Sequence, residues 1–164
     1  MATTFQTNNF LNATPALTNV ASSLKTMLTL FVTSGSLRRF YVYEWSMAAT
    51  DVPNATDCPI VYDISRMTAD GTGVAMTPTT FPILETGTVS PPLATSKANY
   101  TVEPTITAQS QLDYNAFNQR ATMRWVSIQG GELTVPAVAA SGLAWRVRSP
   151  NYASTIAVKA TFNE

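Results

Sequence analysis

Six carboxylates are the side chains of this sequence best suited to acid and base chemistry: Glu44, Asp63, Glu85, Glu103, Asp113 and Glu132. Two of them, brought together in space, could act as the acid and base of a glycoside hydrolase. Their spacing selects no pair, and the chain has no histidine. Without histidine, the commonest general base and metal ligand is missing, and so are Ser-His-Asp and Cys-His arrangements. We therefore expect no enzymatic activity, no catalytic residue, no cofactor and no metal site.

The chain has one cysteine, Cys58, so a disulfide scaffold within the chain is excluded. No histidine exists, and no lysine or arginine lies within five positions of Cys58, so nothing nearby favours a thiolate. We interpret Cys58 as a small residue at the start of a strand.

Four arginines occur in two pairs with strand spacing. Arg120 and Arg124 alternate with Met123 and Trp125, and Arg146 and Arg148 alternate with Trp145 and Val147 in the same way. If the two segments are neighbouring strands, they present an arginine-rich outer face with the tryptophans behind it. Such a face is either a docking surface, because arginine is enriched at interfaces, or a solvated face with cross-strand ion pairs.

The surface is predicted to be polar but nearly uncharged. Charged residues make up 12% of the chain, about half the usual share, and ten basic residues balance ten acidic ones. A zero net charge gives no long-range attraction to nucleic acid or to an anionic membrane. No segment is long enough to span a bilayer, and the N-terminus does not resemble a signal peptide. We expect synthesis in a cytoplasm, and neither a membrane nor a nucleic acid as partner.

Seven segments alternate with period two and are rich in β-branched and aromatic residues; they cover 23–33, 38–48, 59–68, 119–128, 131–137, 142–149 and 154–162. Gly-containing turns separate several of them, and Asp70-Gly71 is typical of a hairpin. Helices are conceivable only at 16–28 and 112–120, without clear caps. The sequence predicts an all-β fold: an antiparallel β-sandwich or a jelly-roll-like barrel forming one domain over 23–164.

Two regions do not alternate. Residues 77–111 contain five prolines, which interrupt ladder hydrogen bonds, and are predicted to form a long Pro- and Thr-rich connection. Residues 1–22 are predicted to be an extended N-terminal arm. The arm carries Phe5, Phe10 and Leu11, and we expect these apolar side chains to fasten it across a neighbouring chain.

The segment RRFYVYEWSMA at 38–48 has bulky residues on both faces of the expected strand. Strict alternation places Arg39, Tyr41, Tyr43 and Trp45 together on one face. One face is expected to lie in the core, so the other needs a cover. Tyr, Trp and Arg are the side chains that protein interfaces favour.

The segments RRFYVYEW, PIVYDISRMTADGTGVAMTPT and NQRATMRWVSIQGGELTVPAVAASGLAWRVRSP resemble a group of small structural proteins of tailed bacteriophages, the cement or decoration proteins of the capsid. The resemblance extends over most of residues 34–164 and contains no catalytic motif. It implies a β-rich domain, synthesis in the cytoplasm of a host bacterium, and a place on the virion surface. It also implies binding to the major capsid protein and no enzymatic activity.

The nearly uncharged, Thr-rich composition and a strand with bulk on both faces predict a homo-oligomer, a trimer or a dimer, and the resemblance implies that it bridges coat subunits. A second copy, the coat protein or residues 77–111 could then cover the second face of RRFYVYEW. The alternative function is a carbohydrate- or receptor-binding module of a virion, with Trp45, Trp125 or Trp145 as a sugar platform. The candidate interface residues are Phe5, Phe10, Leu11, Arg39, Tyr41, Tyr43, Trp45, Arg120, Arg124, Arg146 and Arg148.

Overall fold

The structure, a computed structural model, describes residues 4–10, 16–17, 23–33, 38–76, 78–80 and 92–164. Within these ranges the chain forms β-strands and no helix. The strands are β1 (Thr4–Asn8), β2 (Ala16–Leu17), β3 (Lys25–Val32), β4 (Phe40–Ala49), β5 (Pro59–Ala69), β6 (Thr72–Met76), β7 (Thr79–Thr80), β8 (Ala94–Val102), β9 (Thr105–Asn118), β10 (Thr122–Val126), β11 (Leu133–Val135), β12 (Gly142–Arg148) and β13 (Ser154–Asn163).

The strands form two antiparallel sheets. One sheet has the order β10-β4-β13-β1-β7, with β11 also paired to β4 and β2 to β13. The other has the order β6-β8-β3-β12-β5-β9. The described strands do not close into a barrel, so the predicted all-β fold is confirmed as a sandwich.

The seven alternating segments correspond to β3, β4, β5, β10, β11, β12 and β13. Their inward side chains form one core between the sheets, and its largest fully buried members are Trp45, Trp145, Tyr62, Tyr152, Phe40 and Phe162. Polar contacts also join the two sheets: the Thr7 hydroxyl donates to Ser96 Oγ at 2.8 Å, and Arg66 Nη1 donates to the Thr134 carbonyl at 2.8 Å. The helical alternative at 112–120 is wrong, because 112–118 belong to β9.

The prediction of one long connection over 77–111 is wrong for its second half. β8 lies inside the six-stranded sheet between β6 and β3, and β9 follows after two residues. Proline does not interrupt these strands because Pro92 precedes β8 and Pro104 lies between β8 and β9. Proline is tolerated at such boundaries, where no ladder hydrogen bond is required of its nitrogen.

The Asp70-Gly71 turn does not join a hairpin. β5 pairs with β12 and β9, whereas β6 pairs with β8. The chain passes so close to β8 at this point that a Cβ on Gly71 would lie 2.0 Å from the carbonyl oxygen of Val102. Glycine is therefore needed here for close backbone approach, which sequence pattern alone does not distinguish from a hairpin turn.

The N-terminal segment is part of the sandwich. β1 lies between β13 and β7, with Phe5 opposite Phe162 and buried in the core. Asn9 extends this pairing through its side chain: its amide nitrogen donates to the Ile156 carbonyl at 2.8 Å, and its Oδ1 accepts the Val158 N–H at 2.9 Å. The expectation that Phe5 fastens the arm to a neighbouring chain is therefore wrong, because its ring packs within its own fold.

Candidate functional site

β4 keeps its bulky residues on the core side by changing phase in the middle of the strand. Phe40 and Val42 are buried before the change, and Trp45 and Met47 are buried after it. The change occurs where the register with β13 shifts, between Thr161 and Phe162. A β-bulge of this kind places one extra residue in a strand and so reverses its alternation.

Tyr43 is the extra residue. Val42 lies opposite Phe162 and Glu44 lies opposite Thr161, which leaves Tyr43 without a partner residue in this register. The prediction that Trp45 shares a face with Tyr41 and Tyr43 is therefore wrong. Strict alternation assigned Phe40 and Val42 to one face of β4, and Trp45 and Met47 to the other. In the structure all four side chains point into the core, so β4 needs no external cover for Trp45.

The three tryptophans form part of the core rather than an exposed platform. Trp45 and Trp145 are fully buried, and Trp125 is partly buried. The Trp125 ring stacks on Trp45 with centroids 6.5 Å apart, and Trp45 meets Tyr62 edge-on at 5.3 Å. Sugar platforms need an exposed aromatic face, which neither Trp45 nor Trp145 offers.

Arg120 and Arg124 do not share one strand face. Arg120 lies in the turn between β9 and β10, where its Nε donates to Asp57 at 2.7 Å and its Nη2 to the Asn54 carbonyl at 2.6 Å. The hydrogen bond from Arg120 is the main cause that lowers the pKa of Asp57. Arg124 lies in β10 and pairs with Glu44 at 2.8 Å. Arg120 thus links the β9–β10 turn to the loop that contains Asn54 and Asp57, whereas Arg124 lies on the outer face of β10.

Arg146 and Arg148 belong to the other sheet, so the prediction of one arginine face built by neighbouring strands is wrong. Arg146 Nη2 donates to Asp63 Oδ2 at 2.6 Å, and Gln111 Nε2 donates to the same oxygen at 3.0 Å. Asp63 is fully buried, and the Arg146 side chain is only 17% exposed. Arg148 Nη2 donates to the Tyr114 hydroxyl at 3.2 Å. The Arg146–Asp63 pair is a structural ion pair.

A mixed apolar and polar surface remains on the outer face of β4 and β10. We refer to it as the β4–β10 surface, and it is formed by Tyr41, Tyr43, Arg124, Val126 and Ile128. Val126 is 54% exposed and Ile128, in the turn after β10, is 81% exposed. The Ser127 N–H donates to the Tyr43 carbonyl at 2.8 Å and so holds this turn against β4.

Tyr43, one of the residues of the β4–β10 surface, is half-buried. Burial raises the pKa of its phenol, and a hydrogen bond with Thr4 partly offsets this effect. Glu44, beside it in β4, accepts the hydrogen bond from Arg124. The charges of the surface are therefore paired, while its aliphatic side chains face outward.

The remaining candidates lie apart. Arg39 is exposed immediately before β4. Phe10 is exposed after β1, and Leu11 lies outside the described residues. The sequence analysis did not include Val126 and Ile128 among the candidates, although they alternate with Trp125 and so lie on the same face as Arg124 in the predicted strand 119–128. This alternation was the sequence signal that could have identified both residues.

Other kinds of site find little support in the described residues. A shallow, open depression of about 310 Å³ lies beside Cys58 and is lined by Asp57, Cys58, Pro59, Ala116, Phe117 and Asn118. No group of three or more potential metal-ligating side chains occurs in the part of the chain that the structure describes. The same residues include no helix able to cross a membrane.

Comparison of the chain with protein-family models, with characterised proteins and with solved structures gives no match.

Proposed function

We propose that this protein is a non-enzymatic cement or decoration protein that stabilises the head of a tailed bacteriophage by bridging coat subunits. It would be made in the cytoplasm of the host bacterium and act on the capsid surface. The resemblance of the segments described above and the confirmed β-sandwich support this proposal. The observation that carries it is the β4–β10 surface, where Val126 and Ile128 project from a weakly charged fold.

The mechanism is burial of apolar area against the major capsid protein. Each square ångström of apolar surface removed from water contributes about 25 cal/mol before the costs of association are deducted. Val126 and Ile128 supply the apolar centre, and the paired Arg124 and Glu44 form a polar rim, as is typical of protein interfaces. Repetition over a symmetric shell would turn weak single contacts into durable attachment.

The proposal is tested by changing the aliphatic centre of this surface. The double variant Val126→Lys with Ile128→Lys is expected to remain folded, because both side chains point away from the core. Its occupancy on purified coat shells should fall at least about tenfold, equivalent to about 1.4 kcal/mol. Occupancy is measured by sedimenting shells with the protein and quantifying both chains.

The matched control is Val52→Lys with Val102→Lys, two exposed valines outside the β4–β10 surface. This variant adds the same charge and should retain wild-type occupancy. Equal occupancy for both double variants would show that this surface does not contact the shell. If the wild type fails to bind shells but binds glycans on an array, the carbohydrate- or receptor-binding alternative would replace the proposal.

A further inference from the structure

β9 forms an edge of the six-stranded sheet, and among the described strands it pairs only with β5. Exposed edges offer unpaired N–H and C=O groups to other chains, and proteins usually protect them with lysine, proline or bulges. β9 contains no lysine and no proline, and its one charged residue is Asp113. Its register with β5 is broken before Asp113 and is regular from Asp113 to Asn118, opposite Ile64 to Pro59.

The direction of the backbone groups in this regular part can be read from two hydrogen bonds. The Gln119 N–H donates towards β5, to the Cys58 carbonyl, at 3.2 Å. The Ala116 N–H, three residues earlier, is accepted instead by the side chain of the preceding residue, Asn115 Oδ1, at 2.8 Å. Because successive residues alternate in direction, the N–H and C=O of Tyr114 and Ala116 point away from β5.

We propose that this edge pairs antiparallel with β9 of a second copy of the chain, about a two-fold axis at Asn115. In this register Tyr114 of each copy lies opposite Ala116 of the other. Both residues have outward N–H and C=O groups, so the two copies exchange four backbone hydrogen bonds. Asn115 meets its own counterpart, and its side chain releases the Ala116 N–H to the second copy.

A second copy fits this edge better than a charged partner does. The same two residues supply donors and acceptors in both directions, so the edge is complementary to itself, as a two-fold interface requires. Within it, only Asp113 carries a charge. In the proposed register the two Asp113 residues are four positions apart along the strand, about 13 Å, which exceeds the Debye length of about 8 Å at physiological salt. Neither net charge nor edge charge opposes association.

The contact is small, so the association is expected to be weak. One short strand pair with the exposed Tyr114 beside it buries less than the roughly 1,200 Å² typical of stable complexes. We therefore expect the fraction of dimer in solution to rise with protein concentration and to be highest where many copies lie close together. The inference goes beyond the proposed function and does not depend on it, since pairing is measured on the free protein.

Disulfide trapping tests the position of the axis. A single cysteine forms a disulfide-linked dimer efficiently only where it meets its own counterpart. Opposite Cβ atoms in a sheet lie about 4.5–5.5 Å apart, and closer in a non-hydrogen-bonded pair such as the two Asn115 residues, which approaches the roughly 3.5–4.5 Å that a disulfide spans. In a Cys58→Ser background, Asn115→Cys should give a covalent dimer under mild oxidation. Val74→Cys, on the opposite edge strand β6, is the matched control and should remain monomeric. Absence of the Asn115→Cys dimer, or equal dimerisation of both variants, would overturn the proposal.

Sedimentation velocity over a concentration series provides an independent test without oxidation. The wild type should shift towards dimer as its concentration rises. Asn115→Lys places two ammonium groups opposite each other and should remain monomeric, whereas Thr72→Lys on β6 should behave as the wild type does. A wild type that stays monomeric throughout, or an Asn115→Lys variant that still dimerises, would contradict the pairing. Either result leaves the shell-binding test of Val126 and Ile128 unaffected.

Discussion

At the scale of single residues, the most consequential polar feature is the ion pair of Asp63 and Arg146. Asp63 is fully buried although it points to the outer face of its sheet, and it also interacts with Ser65 and Gln111. A buried carboxylate is costly unless it is paired and hydrogen-bonded. Arg146 is therefore expected to matter for folding rather than for docking.

The variant Arg146→Met should destabilise the protein by about 3–5 kcal/mol, because it leaves the Asp63 charge buried without its cation. Urea denaturation followed by tryptophan fluorescence measures the change in the free energy of unfolding. Arg124→Met is the control: its side chain is 63% exposed, and its pair with Glu44 should contribute at most about 1 kcal/mol. A loss for Arg146→Met as small as that of the control would refute the structural role.

Tyr62 gives the protein a dependence on alkaline pH. Burial, with the nearby Asp113 carboxylate, raises the pKa of Tyr62 to about 12, whereas the unfolded phenol titrates at its ordinary pKa near 10. The folded state therefore holds this proton more tightly. The contribution of Tyr62 is complete below pH 10 and is lost as the pH rises from 10 towards 12.

We expect the free energy of unfolding to fall above pH 10, and to fall less steeply in Tyr62→Phe. The phenylalanine variant loses the hydrogen bond to Asp113 but retains the ring in the core. Urea denaturation at several pH values between 9 and 11.5 compares the two proteins. Parallel pH profiles would show that Tyr62 does not cause this dependence.

At the scale of strands, the pairing of β1 with β13 is extended beyond Asn8 by the side chain of Asn9, which hydrogen-bonds backbone groups of β13. Asn9 satisfies a donor and an acceptor of β13 where β1 itself has ended. Asn9→Ala should cost about 2 kcal/mol or more, because the buried groups of Ile156 and Val158 lose their partners. Phe10→Ala, at an exposed neighbouring position, should change the midpoint of thermal unfolding little. Similar midpoints for the two variants would argue against this role.

The strands that could be predicted are those whose alternation is regular. β12 and β13 alternate clearly, and the structure confirms both. β9 was missed because it is an edge strand, exposed on most of its length and interrupted by register shifts, so its sequence carries no core-facing period. β8 was missed because its inward residues include Ala94, Ser96 and Ala98, which are too small to mark a buried face.

The candidate site was less predictable than the fold because it depends on which strands are neighbours. The spacing of Arg146 and Arg148 correctly placed them opposite Trp145, but no local pattern showed that their strand lies in a different sheet from β10. The outward position of Tyr41 was predictable from alternation, whereas the bulge at Tyr43 arises from pairing with β13. Strand pairing between distant parts of the sequence therefore decides both the sheet to which Arg146 and Arg148 belong and the position of the bulge at Tyr43.

At the scale of the whole molecule, the sandwich joins the first and last strands of the described chain. Phe5 of β1 lies opposite Phe162 of β13, and the core includes side chains from both. Such distant pairing requires the closure of a long loop before contacts form, and it slows folding.

We therefore expect refolding from urea in milliseconds to seconds or more slowly, as for other β-sandwiches. Stopped-flow tryptophan fluorescence reports it, because Trp45 and Trp145 are buried in the core. Deleting Ser154–Asn163, which form β13, should prevent cooperative folding, since β1, β2 and β4 all pair with this strand. Microsecond refolding, or a folded protein without β13, would contradict this description.

The bulge in β4 means that one residue of this strand is optional to the fold. Without Tyr43, the alternation from Phe40 to Met47 becomes regular, and each core side chain keeps its face. Loss of Ser46 would instead make Trp45 and Met47 consecutive, so that only one of these two core side chains could still point into the core. A single-residue deletion should therefore be tolerated at Tyr43 or at the adjacent Glu44, since either restores regular alternation, and rejected at Ser46. Because the alternation of the core residues does not depend on Tyr43, its side chain can serve contacts of the outer surface.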